Sequence, residues 1–344
     1  MIHSALKSMR WGLAREIRTM RLRKIAPAVL AAGVAAVPTG AAVAQEFPSK
    51  NVRIVAPFPP GGTVDLLARL LAQPLSRALG QNVIVENRAG GNTVIGAELV
   101  VRAPADGHTL LFMASSFTIN PLVRSKMPYD TVQDFTGVTR IASNPLVISI
   151  HPSLPAKSVK DLVALARARP GELTFGTASI IGGQRLAMEL LFRETAGVEL
   201  INVPYNGGAP AAIAVMGGHT SMLIANISES APQIIAGRLR GIAVTSLARS
   251  DILPGVPTVA ESGYPGFEAL NWFGAVARST TPRAAIERLS VEIARALQLP
   301  EVRESLGREG LASSATSPQE FDAFIQSEMR RYERIIKALK LKIE

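Results

Sequence analysis

Residues 53–80, RIVAPFPPGGTVDLLARLLAQPLSRALG, place an apolar strand, a proline-glycine turn and a helical pattern in immediate succession. Glycines at such a turn let a ligand approach the backbone, and the first amides of the following helix have no partner within it. Together with the helix dipole, which contributes ~0.3 to 1 kcal/mol, these amides favour a carboxylate or another anion. The alternative interpretation is a tight turn that only packs the helix on the strand.

The same order of elements occurs twice in the chain. Strand, glycine turn, helix, strand and second glycine turn are present as RIVAPFPPGG…VIVENRAGG and again as LTFGTASIIGG…LINVPYNGG. Short apolar strands alternate with amphipathic helices elsewhere too, which predicts an α/β fold with largely parallel sheets. We therefore predict two related lobes, each with a strand-to-helix turn at the carboxyl end of its sheet, where ligands of such sheets bind.

The remaining element boundaries are read from local signals. Ser317-Pro318-Gln319-Glu320 combines a capping box with proline at the first helical position, and Ser158 and Thr281-Pro282 are similar helix starts. The segments predicted as strands are VRIVAPF, NVIVEN, HTLLFMA, LVISI, LTFGTA, LINVPY, TSMLIAN and GIAVTS.

Residues 1–44 have the order of a secretory signal peptide. Basic residues precede the apolar run APAVLAAGVAAVPTGAAVA, and small residues lead to a predicted cleavage after Ala44. A retained anchor is the alternative, and a second leader start lies at Met20. The leader carries seven Lys or Arg residues and one Glu, so its removal lowers the formal net charge from +10 to +4. We therefore expect a periplasmic protein that does not bind nucleic acid.

Motifs for catalysis, nucleotides or metals are missing from the sequence. The chain has no cysteine, and His108, His151 and His219 are widely spaced and form no metal-ligand pattern. The segment GNTVIGA, residues 91–97, has the glycine spacing of a P-loop but lacks its lysine, and no G-x-S-x-G elbow is present. The sequence thus predicts recognition without chemical change, with neither a cofactor nor a metal.

A series of motifs resembles one family. Residues 47–112, from FPSKNVRIVAPFPPGG to GHTLLF, resemble the amino-terminal half of the periplasmic receptors of tripartite tricarboxylate transporters, also called Bug receptors. The series continues in the same order as MPYDTVQDF, HPSLPAKSVKDLVALARARPGELTFGTA, VPYNGGAPA, IAVTSLARSDILPGVPTVAESGYPGFEALNWFG and SPQEFDAFIQSE. The resemblance covers nearly all of the chain beyond the leader.

The resemblance implies a two-lobed periplasmic-binding-protein fold, or Venus flytrap, that closes on a small carboxylate and delivers it to membrane permease subunits. It places lobe 1 at residues 45–146 and 271–344 and lobe 2 at residues 147–270. The crossovers between the lobes are expected near Asn144 to Val147 and near Leu270 to Phe273. The protein is expected to be a monomer.

The resemblance also implies the ligand site. The two facing turns, residues 58–65 and 178–184, hold the ligand's carboxylate, and two serines and three asparagines line the walls. The expected binding residues are Phe58, Pro60, Gly61, Gly62, Thr63, Asp65, Ser115, Ser116, Asn120, Ala178, Ser179, Gly182, Gly183, Gln184, Asn206 and Asn226.

Several positions have two interpretations. Asp65 either caps the first helix, or fixes the loop or meets a ligand donor. Arg185, where the family commonly has histidine, either binds a carboxylate or lies in solvent. Trp272 and Phe273 either form an aromatic wall of the cleft or pack at the crossover. Ala225 stands where the family often has aspartate, so we expect a ligand without an amino group.

Two rival functions come from other classes. A ligand-sensing receptor for a signalling partner uses the same closure as a transport receptor, so the sequence barely separates the two. A secreted α/β hydrolase needs a nucleophile and a base, and the sequence shows no motif for either.

Overall fold

The computed structural model of the protein describes residues 47–341. The predicted leader, residues 1–44, lies outside the described residues. Within residues 47–341, no helix combines the length and the apolar character needed to cross a bilayer.

The described residues form strands and helices in near alternation. The strands are β1 (Val52–Ala56), β2 (Val83–Asn87), β3 (Thr109–Ala114), β4 (Phe135–Ile150), β5 (Thr174–Thr177), β6 (Ile201–Pro204), β7 (Met222–Asn226), β8 (Arg240–Val244), β9 (Leu270–Arg278) and β10 (Ala312–Ser313). The α-helices are α1 (Thr63–Leu79), α2 (Val94–Arg102), α3 (Ser116–Val123), α4 (Val159–Ala168), α5 (Gly183–Met188), α6 (Gly208–Met216), α7 (Ile227–Ile235), α8 (Arg283–Leu297), α9 (Pro300–Arg308) and α10 (Pro318–Leu339).

The strands lie in the order β2-β1-β3-β9-β4-β7-β5-β6, with β8 and β10 also paired to β4. We call β2, β1, β3, β9 and residues 135–145 of β4 the first subsheet. Here β1 runs parallel to β2 and β3, whereas β9 is antiparallel to both β3 and β4. The three parallel strands are joined by helices, as parallel neighbours require a crossover connection.

We call residues 146–150 of β4 with β7, β5, β6 and β8 the second subsheet. Strand β5 is parallel to β6 and β7, and β4 is antiparallel to β7 and β8. The predicted repeat is therefore present, because β1-α1-β2-α2 and β5-α5-β6-α6 follow the same path. Each subsheet is nevertheless mixed and not largely parallel, since the long strands β4 and β9 run against their neighbours.

The strand β4 belongs to both subsheets. Its partner changes from β9 to β7 between Pro145 and Leu146. Strand β9 begins beside the same point, where Leu270 pairs with Pro145. The sequence patterns predicted only the last part of β4 and missed β9, so the feature that joins the two subsheets was not among the predicted strands.

Both subsheets are covered on two faces. Helices α1, α8 and α9 bury one face of the first subsheet around residues such as Leu71, Phe112 and Leu289, and helices α2 and α10 cover the other. Helices α4 and α5 pack on the second subsheet around Phe175 and Phe192. Burial of this kind contributes about 25 cal/mol per Å² of apolar surface, so these cores make rigid supports for the turns between them.

The helix starts follow the predicted signals with one difference. The Ser317 side chain accepts a hydrogen bond from the Glu320 amide in a complete capping box, and the Ser158 side chain accepts one from the Asp161 amide at the start of α4. Helix α8 begins one residue later than predicted, because Pro282 is its N-cap and Thr281 makes no capping bond.

Candidate functional site

A cavity of about 590 Å³, counted with its opening to solvent, lies where the two subsheets meet. The starts of helices α1, α3, α5, α6 and α7 converge on it. Its wall is formed by Phe58, Pro59, Pro60, Gly62, Thr63, Val64, Ala114, Ser115, Ser116, Ala178, Ser179, Gly182, Gly183, Gln184, Asn206, Gly207, Gly208, Ala209, Pro210, Asn226, Glu229, Asn271 and Phe273.

The structure brings most of the sequence-predicted site residues into this wall. Gly61, Asp65 and Asn120 are the exceptions, because Asp65 and Asn120 are buried outside the wall and Gly61 is exposed. The predicted residues that line the cavity are Phe58, Pro60, Gly62, Thr63, Ser115, Ser116, Ala178, Ser179, Gly182, Gly183, Gln184, Asn206 and Asn226.

The turn before α1 exposes helix amides to the cavity. The first hydrogen bond of the helix runs from the Leu66 amide to the Gly62 carbonyl. The amides of Thr63, Val64 and Asp65 therefore have no acceptor within the helix. Gly61 has φ +88, a left-handed conformation that favours glycine, whereas Gly62 is extended at φ −87 and ψ 169. Glycine at position 62 is thus not required by the backbone angles.

Asp65 fixes this turn from behind. Its carboxylate accepts hydrogen bonds from the Gly61 amide at 3.0 Å, from Asn87 Nδ2 at 2.9 Å and from Arg69 Nε at 3.0 Å. Burial raises the pKa of the Asp65 carboxyl, but the hydrogen bonds from Arg69, Gly61 and Asn87 outweigh it and hold the pKa below its usual value. Of the two interpretations of Asp65, the structure therefore favours loop fixing, without contact to the cavity.

Asn120 supports a second turn. Its Nδ2 donates to the Asn92 carbonyl at 2.7 Å and to Thr93 Oγ1 at 3.2 Å, and both acceptor residues have positive φ. Asn92 Nδ2 in turn donates to the Ile181 carbonyl at 3.0 Å, on the turn that precedes α5. Asn120 thus stabilises a turn with two positive φ angles that contacts the turn before α5, and it does not line the cavity itself.

A chain of hydrogen bonds crosses the cavity wall. The Gly183 amide donates to Ser115 Oγ at 3.2 Å, and Ser115 Oγ donates to Asn271 Oδ1 at 2.9 Å. Asn271 Nδ2 donates to Asn226 Oδ1 at 2.9 Å, and Asn226 Nδ2 donates to Thr63 Oγ1 at 3.1 Å. These bonds join helix starts next to the first subsheet, at Thr63 and Ser115, to helix starts next to the second, at Gly183 and Asn226. The two sides of the cavity are therefore in direct contact in this structure.

Asn271 enters the site because of strand β9. Successive side chains of a strand point to opposite faces. Asn271 and Phe273 consequently line the cavity, while Trp272 faces the other way. The Trp272 ring packs edge-on against Phe324 at 5.1 Å between centroids and donates from Nε1 to Glu328 at 3.1 Å. Trp272 is therefore a packing residue and Phe273 a wall residue, which the sequence did not separate because β9 was not predicted.

Glu229 was missed by the sequence analysis. Its carboxyl accepts from the Asn226 amide at 3.3 Å and from Asn226 Nδ2 at 3.2 Å, as the third residue of a capping box on α7. Oε1 lies 3.5 Å from Thr63 Oγ1. Burial raises the pKa of Glu229 above its ordinary value, although the amides of Thr63 and Asn226 oppose this shift. The Asn-x-x-Glu spacing of a capping box was the signal that the sequence offered.

Glu229 overturns one premise of the sequence analysis. The expectation of a ligand without an amino group depended on the cleft having no acid, because Ala225 replaces the aspartate common in the family. The structure places an acid there after all, from α7 and not from β7. That reasoning from Ala225 is therefore wrong for this cavity.

Arg185 lies outside the cavity wall. Its guanidinium donates from Nε to Glu189 at 3.4 Å and from NH1 to the Ile180 carbonyl at 3.0 Å. The residue sits one step beyond Gln184, whose side chain turns back to accept from the Ala178 amide at 2.8 Å. Arg185 therefore lies outside the cavity wall, but its side chain is only 19% exposed and is paired with Glu189, so it is not the solvated surface residue of the second interpretation either.

The cavity wall is uncharged apart from Glu229. Among the described residues, no lysine, arginine or histidine contributes to it. No group of three or more metal-ligating side chains occurs within residues 47–341. An anion in this cavity would therefore be held by amides, hydroxyls and side-chain carboxamides and not by an ion pair.

Comparison with known proteins agrees with this geometry. The family described as tripartite tricarboxylate transporter family receptor matches residues 67–341. The chain is 34% identical to the protein BugT of Bordetella pertussis over 88% of this chain and 93% of BugT.

Two solved structures share the fold. One is R. palustris Rpa4515 with adipate, at 36% identity and a TM-score of 0.82, covering 86% of this chain and 99% of the other. The second is the periplasmic binding protein BugD, at 28% identity and a TM-score of 0.81, covering 87% of this chain and 100% of BugD. The predicted periplasmic-binding-protein fold is confirmed. The chain therefore belongs to the tripartite tricarboxylate transporter receptor family, as its motifs predicted, and it is a solute-binding receptor and not an enzyme.

Proposed function

We propose that this receptor captures a small carboxylate in the cavity between its subsheets and delivers it to the permease subunits of a tripartite tricarboxylate transporter. The observation that carries the proposal is the convergence of helix starts on one cavity without a basic side chain. Adipate bound to the similar Rpa4515 supports the ligand class.

Backbone amides and hydroxyls bind a carboxylate through hydrogen bonds, which permit its release to a permease. The Val64 amide at the start of α1 has no acceptor within the helix, and the Ser116 hydroxyl has no hydrogen-bond partner among the described residues, so both are donors available in the wall. A hydrogen bond to a charged group contributes about 1.5 to 3 kcal/mol, and the helix dipole adds ~0.3 to 1 kcal/mol. A few such contacts give appreciable affinity, and none of them requires a buried ion pair to break on release.

Closure brings the donors together. We assign lobe 1 to residues 45–146 with 271–344 and lobe 2 to residues 147–270, with bending where β4 and β9 pass between the subsheets. Hydrogen bonds such as Asn226 to Thr63 and Gly183 to Ser115 form only when the two turns are close. Ligand binding then shifts the population towards the closed form by contributing contacts that the open form lacks.

The proposal includes a cellular location and an oligomeric state for the receptor. The protein acts in the periplasm after removal of residues 1–44 and works as a monomer. The similar BugD is a periplasmic binding protein, which supports this location.

Binding is tested with the purified chain lacking residues 1–44. A thermal-shift screen of dicarboxylates with four to eight carbons, their monoamides and aromatic acids is followed by calorimetry on each compound that raises Tm. We expect saturable binding of at least one carboxylate, with mass spectrometry before and after incubation showing the ligand unchanged. Failure of every compound to bind would contradict the proposed ligand class.

Delivery is tested in cells. A strain that lacks this receptor should lose high-affinity uptake of the labelled ligand identified by calorimetry, and the wild-type chain should restore it. A Gly62→Val chain, which keeps the fold but crowds the cavity, is the matched control and should not restore uptake. Normal uptake in the deletion strain, with a lost transcriptional response to the ligand, would favour the signalling role instead.

A further inference from the structure

A second cavity adjoins the one described above, which we call the first cavity. The second cavity measures about 750 Å³, counted with its opening to solvent. Residues 89–93, after β2, form one side of it, and residues 178–180 and 204–206, at or after the ends of β5 and β6, form the other. The residues that line both cavities are Phe58, Pro59, Ala178, Ser179 and Asn206. A ligand in the first cavity can therefore extend past these shared residues into the second.

Among the described residues, Arg124 is the one charged residue in the wall of the second cavity. It follows α3 directly, and its NH2 group donates to the carbonyl of Gly91, another wall residue, at 2.9 Å. Within residues 47–341 the guanidinium pairs with no carboxylate, and its Nε is buried without a hydrogen-bond partner. A half-buried cation with unused donors and no acid beside it favours an anion in this cavity.

The two cavities offer different donors to a ligand. The first has helix amides and hydroxyls such as that of Ser116, without a basic side chain. The second adds a guanidinium, which can form two parallel hydrogen bonds to one carboxylate. Glu229, the acid of the first cavity, does not line the second. Together the cavities provide separate positions for two anionic groups at opposite ends of one ligand.

We propose that the second cavity is the subsite for the far end of the ligand, where Arg124 binds a second carboxylate. The receptor then prefers dicarboxylates with a carboxylate at each end to the corresponding monocarboxylates. The inference rests on the proposed carboxylate-binding function and names its ligand class more narrowly. A hydrogen bond to a charged group changes affinity by about tenfold or more, whereas a fully exposed ion pair changes it by about fivefold at most. Because Arg124 is half-buried, we expect about tenfold.

The test compares each dicarboxylate of four to eight carbons with its monoamide, because the two have nearly the same shape and differ in charge at one end. Calorimetry at pH 7.5, where both carboxylates are ionised, should show the wild-type chain binding at least one diacid about tenfold more tightly than its monoamide. The preference should appear only above a threshold length, since a short chain does not pass the shared residues. In Arg124→Gln the ratio for that pair should fall to within about threefold, with the Kd of the monoamide unchanged.

The matched control is Arg167→Gln. Arg167 of α4 also donates from NH2 to a backbone carbonyl, that of Ala196 at 3.0 Å, but it lines neither cavity. This variant should keep the wild-type ratio of diacid to monoamide affinity.

Modification by phenylglyoxal, a reagent for arginine, gives a second readout on the wild-type chain alone. Peptide mass spectrometry should show Arg124 protected by saturating diacid and less protected by saturating monoamide. Equal protection by the two compounds would overturn the inference, and this comparison holds even where Arg124→Gln does not fold.

The outcomes separate the two proposals. Equal binding of diacid and monoamide at every length would overturn the inference about Arg124 and leave the carboxylate receptor intact. An unchanged ratio in Arg124→Gln would do the same. Failure of all diacids and monoamides to bind the wild-type chain would instead refute the carboxylate function itself.

Discussion

Substitution of Gly62 tests whether the turn before α1 is a ligand site or a scaffold. Gly62 has an extended backbone, and a Cβ there would meet Glu229 Oε1 at 3.6 Å and the Pro59 carbonyl at 3.9 Å. Both distances are ordinary van der Waals contacts, so alanine fits without movement. The methyl groups of valine reach further and enter the space beside the amides of Thr63 and Val64.

The expected changes in stability and in affinity differ in size. Valine is a poorer N-cap than glycine by about 1 kcal/mol, but it restricts the unfolded chain and regains roughly 0.4 to 1 kcal/mol. The free energy of unfolding of the unliganded protein should therefore change by less than about 1 kcal/mol. Loss of one hydrogen bond to a ligand carboxylate costs about 1.5 to 3 kcal/mol, which weakens binding by more than tenfold.

The assay measures both quantities on a series of variants. Calorimetry gives the Kd of the carboxylate found by the screen, and urea unfolding without ligand gives stability for Gly62→Ala and Gly62→Val. Gly61→Ala is the control, because φ +88 makes alanine cost about 1 to 2 kcal/mol while Gly61 lies outside the cavity wall. Equal loss of stability in Gly62→Val and Gly61→Ala, with unchanged affinity in both, would show that the turn is only scaffold.

Three further predictions concern residues near the cavity. Asp65→Asn should lower the free energy of unfolding at pH 7 by about 1 to 3 kcal/mol. Because the folded pKa of Asp65 lies below its ordinary value of 3.8, urea titrations should show this difference shrinking as the pH falls through the folded pKa, and a difference that stays constant as the pH falls below 3.8 would contradict the role. Trp272→Phe removes the hydrogen bond to Glu328 and should cost about 1 to 3 kcal/mol with Kd unchanged, so a tenfold weaker Kd would place Trp272 in the site. Burial raises the folded pKa of Glu229, so the contribution of this group to stability is complete below its ordinary pKa of 4.5 and is lost as the pH rises through the folded pKa. Tm should therefore fall further between pH 5 and pH 8 in the wild-type protein than in Glu229→Gln. Parallel curves of Tm against pH would refute this prediction.

Much of the architecture was readable from local sequence. The capping boxes, the glycine turns and the apolar segments depend on residues close together in the chain, so their signals survive without a structure. The predicted strands match β1 to β8 apart from the first part of β4. The family itself was also identified from the ordered motifs.

The sequence did not predict which residues of a turn or strand face the cavity. Gly61 and Gly62 are neighbours in one turn, yet only Gly62 lines the cavity. Asn271 and Trp272 alternate across β9, a strand whose polar and apolar residues gave no clear period. Facing depends on partners far away in sequence, as when β9 pairs with β3 and β4.

The local sequence was sufficient for the two related strand-turn-helix units and for the anion-favouring turn of each, because backbone geometry and capping act over a few residues. The tertiary structure was needed to place Glu229 opposite Thr63, 166 residues away in the chain. No local pattern encodes such a contact, since it arises only when β4 and β9 bring the two subsheets together. The turn PFPPGG, which the sequence predicts to favour an anion, thereby leads into a helix start beside a carboxyl group that the protein itself supplies.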